Sequence, residues 1–302
     1  MVAAVLALAV GEIVLAAEAQ HPAPELDTEP HPLERTQTEI RENLRAIADR
    51  IDRFFGDERA IEEADFTNGR LSISTRYDEG DAPSTSVDLR GKLVLPRINQ
   101  RLQLVFEGQP EDGDLLGVDS TGASASLRYL AREKDRNRII IDGGGRGGLT
   151  NPSAFIRVLQ RRTWERDEKL IRFTPSLAYD FRDGFEAALR LDQDWTPRRN
   201  TFFRYTSNLL WSEDEPGLRL DQNFTLAKRV SRTRSVAVDW SNTFRSEPHA
   251  VLENVLVQTR LRREVWRDKL FLELAPGIRF PRSESHRAVY TINLRLDLQL
   301  EP

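Results

Sequence analysis

From Thr67 to the C-terminus, apolar and polar residues alternate with period 2, the pattern of strands that show one apolar and one polar face. The clearest stretch sets Ile171, Phe173, Pro175, Leu177, Tyr179 and Phe181 against Arg172, Thr174, Ser176, Ala178 and Asp180. After an Asp183-Gly184 turn, Phe185, Ala187, Leu189 and Leu191 resume the apolar face while Glu186, Arg190, Asp192 and Asp194 take the other, which predicts a hairpin. Alternation recurs at 71–77, 87–95, 102–106, 123–131, 139–145, 156–158, 203–211, 218–226, 236–244, 251–261, 270–280 and 288–300, so fourteen strands are predicted. Around Ile156 the register is blurred by Phe155, Arg157 and Leu159, which leaves twelve strands as the alternative.

Upstream the period changes to 3.6. Ile40, Leu44, Ile47, Ile51 and Phe54 form one seam on a polar cylinder, which predicts an amphipathic helix over 34–55, stopped at Gly56 and followed by a short second helix from Asp57 to Ala64. Two heptads are too few to define a coiled coil, so docking against the rest of the chain is favoured over self-association, with a membrane surface as a third option. Residues 20–33 are rich in Pro and acidic residues and read as a linker, with His21 and His31 solvated within it and not forming a metal site. The first 19 residues are an apolar run ending Ala17-Glu18-Ala19, which fits a signal peptide cleaved before Gln20. No Lys or Arg precedes the run and Gly11-Glu12 interrupts it, so a start inside a longer leader fits too, and a membrane anchor is the competing reading. The expected organisation is signal peptide 1–19, linker 20–33, periplasmic helical segment 34–64 and a β domain over 68–302.

Alternation alone fits a soluble β-sandwich as well as a barrel. Three features favour an all-β, antiparallel transmembrane barrel preceded by a short amphipathic helical segment. First, the polar face is densely charged. Arg172, Asp180, Arg190, Asp192, Arg204, Arg219, Asp221, Asp239, Arg245, Arg260, Glu273, Arg279, Arg295 and Asp297 are its candidate lumen-lining residues, with Arg76, Asp88, Arg90 and Arg128 beside them. Second, aromatics gather near strand ends on the apolar face, where Tyr77, Tyr179, Phe181, Phe185, Trp195, Tyr205, Trp211 and Phe280 would form interfacial girdles. Third, most strands reach the nine residues that a tilted crossing needs. Short links near 96–99, 134–137, 196–200 and 266–269 alternate with longer ones near 108–120, 146–153 and 212–217, which puts the helix and both termini in the periplasm of a bacterial outer membrane.

Composition narrows the chemistry. With 44 Lys and Arg against 48 Asp and Glu, a net charge of -4 and a pI near 5.8, no basic footprint for nucleic acid is present. The absence of Cys excludes disulfides, thiolate metal sites and a lipid-modified N-terminal cysteine.

The segments FFGDERAIEEADFTNGRL (54–71), WTPRRNTFFRYTSNLLWSEDEPG (195–217) and VWRDKLFLELAPGIRFPRSES (265–285) resemble a proteobacterial family of outer-membrane β-barrel proteins without an assigned activity. The resemblance runs from about Phe54 to the end and implies fold and location, with no functional residues to carry over. One departure is the ending, Leu298-Gln299-Leu300-Glu301-Pro302, which lacks the terminal aromatic common in assembled barrels.

The glycine run from Gly143 to Gly148, interrupted by Arg146, has no following Lys-Ser/Thr pair or helix, so it reads as a flexible strand end and loop and not as a phosphate cradle. Ser246-Glu247-Pro248-His249 and Ser283-Glu284-Ser285-His286 hold the residue types of a hydrolase without a spacing that joins them. No enzyme activity, cofactor or metal is therefore expected. The sequence points to a passive channel for small solutes, with outer-membrane lipid as its partner. The alternatives are a non-conducting structural or interaction protein that binds a periplasmic partner through the helix, and an outer-membrane lipid hydrolase using His249 or His286.

Overall fold

In the computed structural model, residues 68–95, 101–108, 123–134, 136–147, 152–166, 169–198, 200–247, 249–267 and 269–300 are described. The expected leader, linker and helical segment all lie outside these residues. The described chain forms fourteen antiparallel strands. These are β1 (Asn68–Asp78), β2 (Ser84–Val94), β3 (Leu102–Glu107), β4 (Ser124–Lys134), β5 (Asn137–Arg146), β6 (Ser153–Arg166) and β7 (Lys169–Asp180). The second half holds β8 (Gly184–Arg198), β9 (Thr201–Ser212), β10 (Leu218–Arg229), β11 (Arg234–Arg245), β12 (Val251–Trp266), β13 (Leu270–Arg279) and β14 (Val289–Leu300).

Each strand pairs with its sequence neighbours, and β1 pairs with β14 from Gly69 opposite Leu300 to Asp78 opposite Thr291, which closes the barrel. Closure removes the edge rows of unpaired amides and carbonyls, a condition that a hydrocarbon surround imposes on any spanning sheet. Most connections at one end are brief, such as 135–136, 167–168 and 199–200, whereas the other end carries 108–123 and 280–288. Bulges between Leu130 and Arg132, Trp195 and Arg198, and Glu264 and Trp266 lie near the short-turn end, and a fourth, at Thr243 and Phe244, lies near the long-loop end.

The two faces are the inverse of a water-soluble protein. Outward positions carry exposed apolar side chains, including Ile73, Val87, Leu127, Val158, Leu274, Ile292 and Leu296, while Arg70, Asp88, Arg128, Asp142, Arg204, Asp239 and Asp297 are buried. Large apolar side chains left exposed in a continuous band need a non-aqueous surround. On β14, Leu298 and Leu300 keep the outward parity, and Leu300 pairs with Gly69.

One alternative is overturned. The segment at Ile156 is a full strand of 14 residues, so twelve strands is excluded. Its pattern was blurred because Phe155 and Leu159 face inward and are buried, while Arg162 stands exposed on the outward side. Its ladder with β7 skips from Leu159–Ser176 to Arg162–Phe173, the gap falling opposite Pro175, which has no amide to give. Gly143, Gly144 and Gly145 end β5 as the alternation over 139–145 predicts, in ladder positions opposite Leu127, Ser126 and Ala125. A Cβ at inward Gly144 would stand 2.2 Å from the Ala125 carbonyl oxygen, so glycine there answers a close approach of β4.

Candidate functional site

The inner wall gathers the charged residues of the chain into rows that run across neighbouring strands. Antiparallel register puts Arg128 opposite Asp142 and Asp142 opposite Arg157, so one carboxylate lies between two guanidiniums. Arg128 donates to Asp142 through Nε at 2.8 Å and Nη2 at 3.1 Å, and Arg157 donates through Nη2 at 2.7 Å. Glu107 accepts a further bond of 3.3 Å from Arg157.

The arrangement repeats around the barrel. Asp194 accepts from Arg172 at 2.9 Å and from Arg204 at 2.6 and 2.8 Å, with Asp192 beside it taking the Thr206 hydroxyl at 2.9 Å. Asp239 holds Arg260 through two bonds of 2.6 and 3.0 Å and the Thr225 hydroxyl at 2.7 Å. Asp221 accepts from Thr243 at 3.0 Å and pairs with Arg219 at 2.9 Å. Arg262 joins Glu273 to Asp297, and Arg146 reaches Asp180. Near the long loops, Arg279 meets Asp78 at 2.9 Å, and Arg245 meets Glu253 at 2.8 Å and Glu215 at 2.6 Å. Carboxylates bonded in this way from two sides hold their charge away from bulk water and brace adjacent strands against each other.

Three inward phenylalanines carry guanidiniums over their rings. Arg146 and Arg157 stand 5.7 and 6.0 Å from Phe155, Arg204 stands 4.8 Å from Phe202, and Arg262 stands 4.8 Å from Phe271. A ring face attracts a cation and favours one plane of the guanidinium, so the phenylalanines add to the carboxylates in positioning these arginines. Phe202 and Phe271 also pack with Ala227 and Ala237 as a small apolar patch on the inner wall.

All of the charged residues expected to line the lumen, from Arg172 to Asp297, have inward parity. Arg190, Arg219, Arg245, Arg260, Arg279 and Arg295 are half-buried, and the remainder are buried. Sequence reasoning passed over Asp142, Arg146, Arg157 and Arg262. Asp142 follows the apolar run Ile139-Ile140-Ile141, in which alternation is hidden because Ile140 also faces inward. Arg262 stands among Arg260 and Arg263, where only the register tells inward from outward.

The girdle residues stand on the outward face. Tyr77, Phe181, Phe185 and Trp195 are exposed there, and Tyr179 packs its ring against both Phe181 and Phe185. Tyr205 is the fifth residue of β9, further into the strand than a rim position. Its ring stacks on Phe224, which meets Trp240 in turn, and its hydroxyl accepts from Gln222 at 2.9 Å. Trp211 and Phe280 lie at the long-loop end. In the turn between β7 and β8, the Arg182 guanidinium donates to Asp183 and holds that carboxyl below the ordinary carboxylate range.

The serine and histidine motifs serve turns. The Ser246 hydroxyl accepts from the Leu218 amide at 2.8 Å, and a ring nitrogen of His286 lies 3.1 Å from the Phe280 carbonyl. Among the described residues no group of three His, Asp or Glu side chains is arranged to hold a metal ion.

A closed, even-stranded antiparallel barrel with an apolar exterior and a charged interior is the architecture of outer-membrane β-barrels. No protein-family model matches the chain. No curated sequence is similar to it. Among solved structures, a loop-deletion mutant of OmpT, an outer membrane protein of Vibrio cholerae, is similar over 78% of this chain and 98% of its own, with a TM-score of 0.49 and 9% identity. The outer membrane channel DcaP of Acinetobacter baumannii covers 78% of this chain and 96% of its own, with a TM-score of 0.48 and 5% identity. OccK10 of Pseudomonas aeruginosa covers 78% and 98%, with a TM-score of 0.47 and 8% identity. Identities this low transfer no residue roles.

Proposed function

We propose that the chain is an outer-membrane β-barrel that passes small polar solutes, with its short turns and both termini on the periplasmic side. The observation that carries this reading is the inversion of the wall, apolar outside and lined inside by hydrogen-bonded arginines and carboxylates around a closed circuit of strands. Water and polar solutes are accommodated by such a lining, and lipid by the exterior. Recording from single barrels in planar bilayers tests it: stepwise conductance is the expected result, and a silent bilayer containing folded protein would refute passage.

A second reading, a non-conducting envelope protein, is favoured by one feature. Asp142, Asp221 and Asp297 show 0% exposure and Asp180 only 1%, so much of the inner charge is engaged by the wall itself instead of standing open to solutes. Silent bilayers would select this reading, and deletion of residues 34–64 would then either release a co-purifying periplasmic partner or restore current.

A further inference from the structure

Among the described residues, the two rims of the barrel differ in the charge that they carry on their outer surfaces. At the short-turn end, Arg132, Arg162, Lys169, Lys228, Arg263 and Lys269 are exposed. Register sets the strand members among them outward: Arg132 is opposite Ile139, Arg162 opposite Phe173, Lys169 opposite Trp195 and Lys228 opposite Thr201. None of the six makes an ion pair among the described residues. Of the carboxylates described at this end, Glu165 and Glu264 lie opposite Leu170 and Phe271, with inward parity, and Glu133 is taken by Arg138 at 2.8 Å.

Tryptophans interleave with these cations. Trp164, Trp195 and Trp266 are 45, 43 and 60% exposed on the outer face, with the Lys169 ammonium 5.8 Å from the Trp195 ring and that of Lys269 5.7 Å from Trp266. At the long-loop end the outer aromatics include Tyr77, Phe181, Phe185, Tyr290 and the half-buried Trp211, and the exposed charges described near them are mainly carboxylates, among them Glu79, Asp81, Glu213 and Glu247. Of the basic residues there, Arg182 is paired with Asp183 at 2.6 Å and Arg287 with Glu284 at 3.9 Å, which leaves Arg282 in a 3-10 turn.

An indole settles at the boundary between hydrocarbon and headgroup, and a lysine or arginine next to it extends its charge outward to the phosphate plane. Two such pairs and a belt of outward cations at one end, with no outward carboxylate to pair with them among the described residues, are complementary to a negatively charged lipid surface on that side. We propose that the short-turn rim is a collar that binds the phosphate headgroups of anionic glycerophospholipids, and so sets the depth and the direction in which the barrel sits. This rests on the membrane-spanning reading, because a headgroup meets the outer face only if the wall crosses the bilayer.

The test uses full-length folded protein in a neutral detergent. Phosphatidylglycerol or phosphatidylcholine of equal chain length is added, and retained lipid is counted by native mass spectrometry. Each cation near an anionic surface strengthens association by about fivefold, so a preference for phosphatidylglycerol of at least about tenfold is expected. The triple variant K169Q/R263Q/K269Q should lose that preference while still retaining phosphatidylcholine, and E79Q/E213Q/E247Q, at the opposite rim, should keep it. Equal retention of the two lipids by the unmodified protein, or a preference that survives the triple substitution, would overturn the collar. Retention of neither lipid would overturn the membrane reading itself.

Discussion

Asp142 is buried between Arg128 and Arg157, and its charge is tolerated only because both guanidiniums bond to it. Asp142→Asn keeps the shape but leaves two cations facing a neutral amide, and removal of one partner from a buried pair costs about 3–5 kcal/mol. Urea unfolding of the barrel from lipid vesicles should show a loss of that order. On the opposite face the ordinary rule of exposure is reversed. Leu274 is 40% exposed and lies mid-strand in β13, a position at which a soluble protein would accept a charge. In lipid, Leu274→Arg should cost about 2–4 kcal/mol in the same assay. An unchanged midpoint would mean that water, not hydrocarbon, covers this face. The glycine run separates by parity too: Gly143→Ala meets nothing within 4 Å and should be silent, whereas Gly144→Ala strikes the β4 backbone and should lower the unfolding midpoint measurably.

Among the strands, the seam between β2 and β3 is the shortest. It runs only from Gly91–Phe106 to Val94–Gln103, whereas β1 and β14 pair over ten positions. Amides held by few ladder bonds open at low free-energy cost, so hydrogen exchange followed by mass spectrometry should find β3 exchanging ahead of β9 and β10. Comparable protection throughout would contradict it. At this scale the sequence was most legible. Every predicted strand has a counterpart, because a wall with one lipid face and one polar face imposes strict alternation on each crossing. What escaped detection was extent. Strands β6, β8 and β12 run beyond the apolar stretch into charged rims, where Arg162, Arg198 and Arg263 carry no apolar signal. The ion-paired wall was legible as parity but not as pairing: Arg172, Asp192 and Asp194 were visible as one face, yet only the register shows that Asp194 bonds to Arg172 and Arg204.

For the molecule as a whole, the balanced composition hides an imbalance in space. A net charge of -4 argued against a basic surface when read over the full chain, but among the described residues the fold sorts unpaired outward cations to one rim and most exposed carboxylates to the other. Among the described residues that sorting is invisible until each turn is assigned to an end. The central claim, that the outer face meets lipid and the inner face does not, is open to direct measurement because the chain has no cysteine. Single cysteines placed along β8 from Glu186 to Trp195 and labelled with nitroxide would be read in lipid vesicles for collisions with oxygen and with a water-soluble nickel complex. Oxygen accessibility should peak at the outward sites Ala187, Leu189, Leu191 and Gln193 and fall at Glu186, Ala188, Arg190 and Asp192, with the two collision profiles out of phase. Nickel accessibility as high at Leu189 and Leu191 as at any inward site would contradict a lipid-facing barrel.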